Sequence, residues 1–93
     1  MIRSFKCNET AKIWATGDSR RFPADILKRA IIKLAMLNRS VTLSDLSIPP
    51  ANRLEKLSGD REGGYSIRIN DKFRVCFRWT GSDAEDVEIV DYH

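Results

Sequence analysis

The run Tyr65-Ser66-Ile67-Arg68-Ile69-Asn70-Asp71-Lys72-Phe73-Arg74-Val75-Cys76-Phe77-Arg78-Trp79 holds two period-two alternations that meet at Asn70-Asp71. Tyr65, Ile67 and Ile69 share one phase; Phe73, Val75, Phe77 and Trp79 share one in the second run. Alternation of this kind, bounded by an Asn-Asp turn, predicts a β-hairpin. The opposite phase carries Ser66, Arg68 and Asn70, then Arg74, Cys76 and Arg78. Such a hairpin turns an apolar face to a core and three guanidiniums to the other side, where a planar fork suits a phosphate.

Downstream, residues 87–93 form a further predicted strand ending on Asp91-Tyr92-His93, and His93 is the chain's only histidine. Successive strand side chains point to opposite faces, so these three groups share a pocket only where the terminus curls. Upstream, 53–57 is a strand candidate that leads into the polar loop 58–64. Residues 40–52 are a connector, with one helical turn at Leu43–Leu46 and a Pro49-Pro50 pair that forbids regular hydrogen bonding.

The strongest helix is 23–38. Pro23 suits the first helical position, and Leu27, Ala30, Ile31, Leu34 and Ala35 recur at helical spacing, broadened by Ile26 and Leu37. Lys28, Arg29, Lys33 and Arg39 fall toward its polar side, after Arg20 and Arg21. They read either as a solvated face or as cations for a long nucleic-acid contact. A shorter helix over 8–16 has Asn8 as N-cap and Gly17 as its stop. Residues 2–7 alternate and predict a first strand. The order β-α-α-β-β-β gives one α+β domain over residues 1–93, a mainly antiparallel sheet with two helices on one face.

A chain of 93 residues allows one domain. No apolar run approaches the ~20 residues of a membrane span, and the start has no signal-peptide core, so a cytoplasmic protein without membrane association is expected. Cys7 and Cys76 form no C-x-x-C pair and read as small hydrophobes. One histidine and no cysteine cluster argue against a zinc site, so no metal and no cofactor are expected. The net charge of +3 is unevenly laid out: residues 1–40 hold nine Lys/Arg against three Asp/Glu, while 80–93 hold five acids and no base. That asymmetry permits a basic face for a polyanion.

The blocks Leu57 to Gly63, 65–77 and the terminal Val90-Asp91-Tyr92-His93, with the opening Met1-Ile2-Arg3-Ser4-Phe5, resemble HigB-type toxins of the RelE/ParE superfamily over nearly the whole chain. The resemblance implies the same α+β architecture and a ribosome-dependent, metal-free mRNA endonuclease, in which the ribose 2′-OH attacks its own 3′ phosphate. It implies catalytic roles for Arg74 with Arg68 (charge stabilisation), His93 (proton transfer), Tyr92 (stacking or orienting the nucleotide) and Asp91 (holding His93 or Tyr92). Arg53, Lys56, Arg61, Lys72 and Arg78 are the candidate RNA contacts. Some relatives carry H-x-L-K-G where this chain has Glu55-Lys56-Leu57-Ser58-Gly59, so Glu55 stands at the histidine and Ser58 at the lysine. Either Glu55 replaces that base or the terminal triplet carries more of the work. Arg74 has a second reading as a structural arginine tied to a carboxylate of the last strand, such as Glu88.

The implied partners are the ribosome and mRNA and a HigA-type helix-turn-helix antitoxin in a hetero-oligomer, expected to be a heterotetramer that meets operator DNA only through the antitoxin. Two rival functions stay open at this level: a ParE-like gyrase poison, which needs no terminal acid–base group, and a non-catalytic homologue acting as an antitoxin-binding co-repressor.

Overall fold

A computed structural model describes residues 1–48, 50–57 and 63–91. The chain runs through α1 (Asn8–Thr16), α2 (Ala24–Arg39), α3 (Leu43–Ser47), a 3₁₀ turn (Pro50–Asn52), β1 (Glu55–Lys56), β2 (Gly64–Arg68), β3 (Phe73–Trp79) and β4 (Ala84–Asp91). The four strands lie in the order β1-β2-β3-β4, every pair antiparallel.

The hairpin forms where the alternation predicts it, with Ile67 opposite Val75 and Tyr65 opposite Phe77. Asn70 closes the turn: its Oδ1 accepts from the backbone N–H of Lys72 and of Phe73, at 2.9 and 2.8 Å. This is the local bonding that makes Asn a turn residue. The apolar phase packs against α2, whose buried residues are Ile26, Ala30, Leu34 and Leu37. The predicted stripe is therefore rotated slightly. Leu27 and Ile31 sit at its margin, and the Ile31 side chain lies beside Gly17, where a Cβ would come within 3.6 Å. Gly17 ends α1 at φ 75°, and its N–H bonds to the Ile13 carbonyl at 2.8 Å. That left-handed conformation is one glycine adopts without steric cost.

Several features differ from expectation. Among the described residues, three helices precede four paired strands in place of the order β-α-α-β-β-β. β1 is only Glu55–Lys56 within the expected 53–57, and β4 begins at Ala84 where 87 was expected. The N-cap of α1 is Cys7, with Asn8 already helical, and Pro23 caps α2 instead of opening it. The expected first strand at 2–7 is two isolated parallel bridges to β4, Ile2 to Ala84 and Phe5 to Val87. The physical reason lies in β4. Between Cys76 and Arg78 the pairing shifts from Glu88 to Glu85, so three residue steps on β4 oppose two on β3. Asp86 sits in this bulge at φ 52°, a region that Asp tolerates better than most residues. Its N–H is taken by Ser4 Oγ at 2.9 Å, which replaces a regular ladder bond to the N-terminal segment.

That segment is also held by charge. Asp83 receives Arg3 Nε at 3.0 Å and the Met1 amino group at 3.2 Å. The Arg3 hydrogen bond first, then that from the amino terminus, hold the Asp83 carboxyl below its ordinary value. A carboxyl with a folded pKa below its unfolded one stabilises the fold above about pH 3.9 and loses that contribution as pH falls through the folded value. Asp83→Asn is therefore expected to give a small drop in Tm at pH 7. The gap from wild type should narrow as melts are repeated below about pH 4 and close once Asp83 is protonated in the folded state.

Candidate active site

The side of the sheet away from α2 is built in rows by the strand register. Glu55, Ser66, Cys76 and Glu88 stand opposite one another across all four strands. On one side of it is the row Arg68, Arg74 and Val90, and on the other side the row Gly64, Arg78 and Glu85. The resemblance-implied Arg74 and Arg68 and the RNA-contact candidate Arg78 thus share this face, as their phase predicts.

The face is not the open array of guanidiniums that the alternation suggests. Arg74 is 7% exposed, and its neighbours Ser66 and Cys76 are buried. The guanidinium lies along the sheet, donating through Nε to Ser66 Oγ at 2.8 Å and through Nη2 to the Arg53 carbonyl at 2.5 Å and the Ser66 carbonyl at 3.3 Å. Its Nη1 stands 3.8 Å from Glu55 Oε1. A buried cation needs such partners, because desolvation otherwise outweighs its attractions. The carboxylate seen beside it comes from β1, where the sequence offered Glu88 of the last strand as its partner. Glu88 lies 3.8 Å from Lys6 Nζ.

A cavity of about 110 Å³, which Arg74 does not line, opens between two cations, Lys6 and Arg78, and two acids, Asp86 and Glu88, with Cys76 and Leu57 also lining it. Arg78 is exposed at its edge. The remaining candidates spread outward. Arg68 pairs with Asp71 in the hairpin turn and borders a second cavity at α2. Lys72 lies 3.7 Å from Asp91 and over the Phe73 ring, and Asp91 stands opposite Phe73 at the end of β4. Arg53 contributes a backbone carbonyl, at φ 45°. Lys56 stands opposite Tyr65, in the other phase. Arg61, Tyr92 and His93, like Ser58, lie outside the described residues. Among the aromatics, Tyr65, Phe73 and Trp79 pack against the core.

Sequence reading missed the part of Ser66. It shares a phase with Arg74, but only the register shows that the two are diagonal neighbours on β2 and β3. Glu55 was visible only as a departure from a motif; pairing to Ser66 through two-residue β1 is what brings it to Arg74. Among the described residues, no group of three or more His, Cys, Asp or Glu is placed to hold a metal ion.

The family described as RelE-like toxin of type II toxin–antitoxin system HigB matches residues 3–93. Toxin HigB-1 of Vibrio cholerae is 42% identical over 65 residues, covering 70% of this chain and 68% of that protein. Endoribonuclease HigB of Proteus vulgaris is 29% identical over the full length of both. In fold the chain resembles the YoeB-YefM complex from Staphylococcus aureus, with a TM-score of 0.62 at 17% identity over 100% of this chain and 98% of that one. It also resembles a YoeB/ParE toxin from Agrobacterium tumefaciens, with a TM-score of 0.55 at 17% identity over 99% and 98%.

Proposed function

The chain belongs to the HigB-like toxin family of type II toxin–antitoxin systems, and from that membership we propose that it is an endoribonuclease that cuts mRNA on the ribosome without a metal ion. The observation that carries this reading is the Arg74 guanidinium, fixed by protein oxygens on the outer sheet face with the Glu55 carboxylate 3.8 Å away. A cation held in place before reaction stabilises charge that develops on phosphorus-bound oxygens without reorganising at that moment. A carboxylate beside it can take a proton.

In the proposed step the ribose 2′-OH gives its proton to Glu55, and the 2′ oxygen bonds to phosphorus. The bond to the 5′ oxygen breaks, and that oxygen takes a proton from His93. A 2′,3′-cyclic phosphate and a 5′-hydroxyl end result. Arg74 offsets the charge on the phosphorane. Tyr92 stacks on the nucleotide, as aromatic side chains do on single-stranded RNA, and Asp91 orients His93 or Tyr92. Arg53, Lys56, Arg61, Lys72 and Arg78 supply phosphate contacts along the bound RNA. Neutralisation is by a HigA-type antitoxin carrying a helix-turn-helix, in a hetero-oligomer in the cytoplasm.

Primer extension on messages from cells expressing the protein tests the reading. New ends are expected within translated codons and should vanish when translation initiation is blocked. Intact messages together with inhibited DNA supercoiling would point to a gyrase poison instead; intact messages and unimpaired growth would point to an antitoxin-binding co-repressor. Glu55→Gln is expected to slow cleavage about tenfold. That is less than the ~10²–10⁴ of a sole acid–base group, because the terminal triplet shares the proton traffic. A Glu55→Gln protein that cuts at the wild-type rate would remove Glu55 from the scheme.

A further inference from the structure

A second cavity, of about 260 Å³, lies where α2 meets the 3₁₀ turn and the end of β2, lined by Arg29, Ile32, Lys33, Ala51, Arg68 and Ile69. Arg29 and Lys33 are one helical turn apart and so project from the same side of α2. Arg68 reaches the cavity from the sheet. Among these described lining residues there is no carboxylate; Asp71 meets Arg68 from the exposed hairpin turn. Three cations converge on one small space.

Two features show that this convergence is built in. Asn52 is fully buried; its Oδ1 accepts from Lys33 Nζ, while its Nδ2 donates to the Leu46 carbonyl at 2.9 Å. The Lys33 ammonium, at the cavity's wall, is thus anchored by a side chain that is itself fixed. Burial, and then the nearness of Arg68 and Arg29, push the Lys33 amine below its ordinary value. Like charges here oppose one another, and a bound anion relieves that opposition.

The cavity is linked to Arg74 through residues 51–53 and through Arg68. Ala51, Asn52 and Arg53 are consecutive: the first lines the cavity, the second holds Lys33, and the third gives its carbonyl to Arg74. Arg68 lines the cavity and stands opposite Arg74 in the β2–β3 register. We infer that the Arg29–Lys33–Arg68 cavity is a second phosphate subsite, taking a backbone phosphate of the RNA strand whose cleaved linkage lies at Arg74. This rests on the nuclease reading for the identity of the strand. The strand passes from the outer sheet face over the end of β2 to α2, and the aliphatic surface of Ile32, Ala51 and Ile69 lies under its sugar. An acidic peptide would also meet three cations, but the link through Arg68 and Arg53 to the reacting phosphate favours the phosphodiester chain.

The test is fluorescence anisotropy with a labelled 2′-O-methyl RNA 12-mer, which cannot be cut, titrated at several salt concentrations. The Arg29→Ala/Lys33→Met protein is expected to bind about tenfold more weakly at 0.1 M salt. The slope of log K against log salt should fall by about 0.7, the value for one phosphate of a single strand. Lys33→Arg, which keeps the charge, should bind within about twofold of wild type, and a thermal melt of each variant separates lost binding from lost folding. Unchanged affinity and slope in the folded double variant would overturn the subsite. So would weakened binding of poly-glutamate with RNA binding untouched, which would make the cavity a seat for acidic protein. Because the probe is not cleaved, the subsite can fail while wild-type protein still cuts messages, and messages can stay intact while the slope still falls.

Discussion

Arg74→Ala is expected to slow cleavage of ribosome-bound mRNA by about 10²–10³-fold, the loss that follows removal of one fixed donor to a developing oxyanion, ~2.7–4 kcal/mol. Arg74→Lys is expected to recover little of it. Lysine keeps a positive charge but has no planar fork, so it cannot span Ser66 Oγ and the Arg53 carbonyl as the guanidinium does. The same bonds make Arg74 structural as well as catalytic: its removal strips partners from Ser66 and from the Arg53 carbonyl, and a buried polar group left unpaired costs about 1–3 kcal/mol. Rates are therefore compared at a temperature where melts show each variant folded. Ser66→Ala separates the two roles. It leaves the cation in place but unties Nε, and should cut more slowly than wild type and faster than Arg74→Ala.

Leu34→Ala carries the largest expected loss of stability, about 3–5 kcal/mol. Leu34 is fully buried in the middle of α2, in one cluster with Ala30, Ile67, Val75 and Val87. Truncation removes both the transfer free energy of the side chain and its contacts with neighbours that collapse only in part. In urea the midpoint should fall with the slope m unchanged, the mark of altered stability without altered denatured-state compactness. An equally large effect from Val41→Ala would contradict this core, since Val41 is 66% exposed and such sites usually move stability by less than ~0.5 kcal/mol.

The hairpin and α2 were legible because local chemistry and burial agree there. Asn70 supplies the turn, the alternation from Tyr65 to Trp79 matches the pleat, and Ala30 and Leu34 fall on the core side. The N-terminal segment misled because alternation in Ile2 to Cys7 carries no information about a bulge in β4, 80 residues away, that interrupts its pairing. The candidate site was legible in membership and less so in environment. A shared phase places Arg68, Arg74 and Arg78 on one face, but nothing in the alternation says that Arg74 is bonded to Ser66 and largely buried while Arg78 stays exposed. The Lys33–Asn52 contact was beyond reach, since it joins an ordinary helical lysine to the last residue of the proline-containing connector.

Single-turnover cleavage of one ribosome-bound message by wild type, Arg74→Ala, Glu55→Gln and the double variant tests most directly whether Arg74 and Glu55 serve one chemical step. Groups that act as a unit are strongly non-additive, so the double variant should cut no more slowly than Arg74→Ala alone. Losses that multiply, or a folded Arg74→Ala protein that cuts at the wild-type rate, would contradict the assignment of this centre.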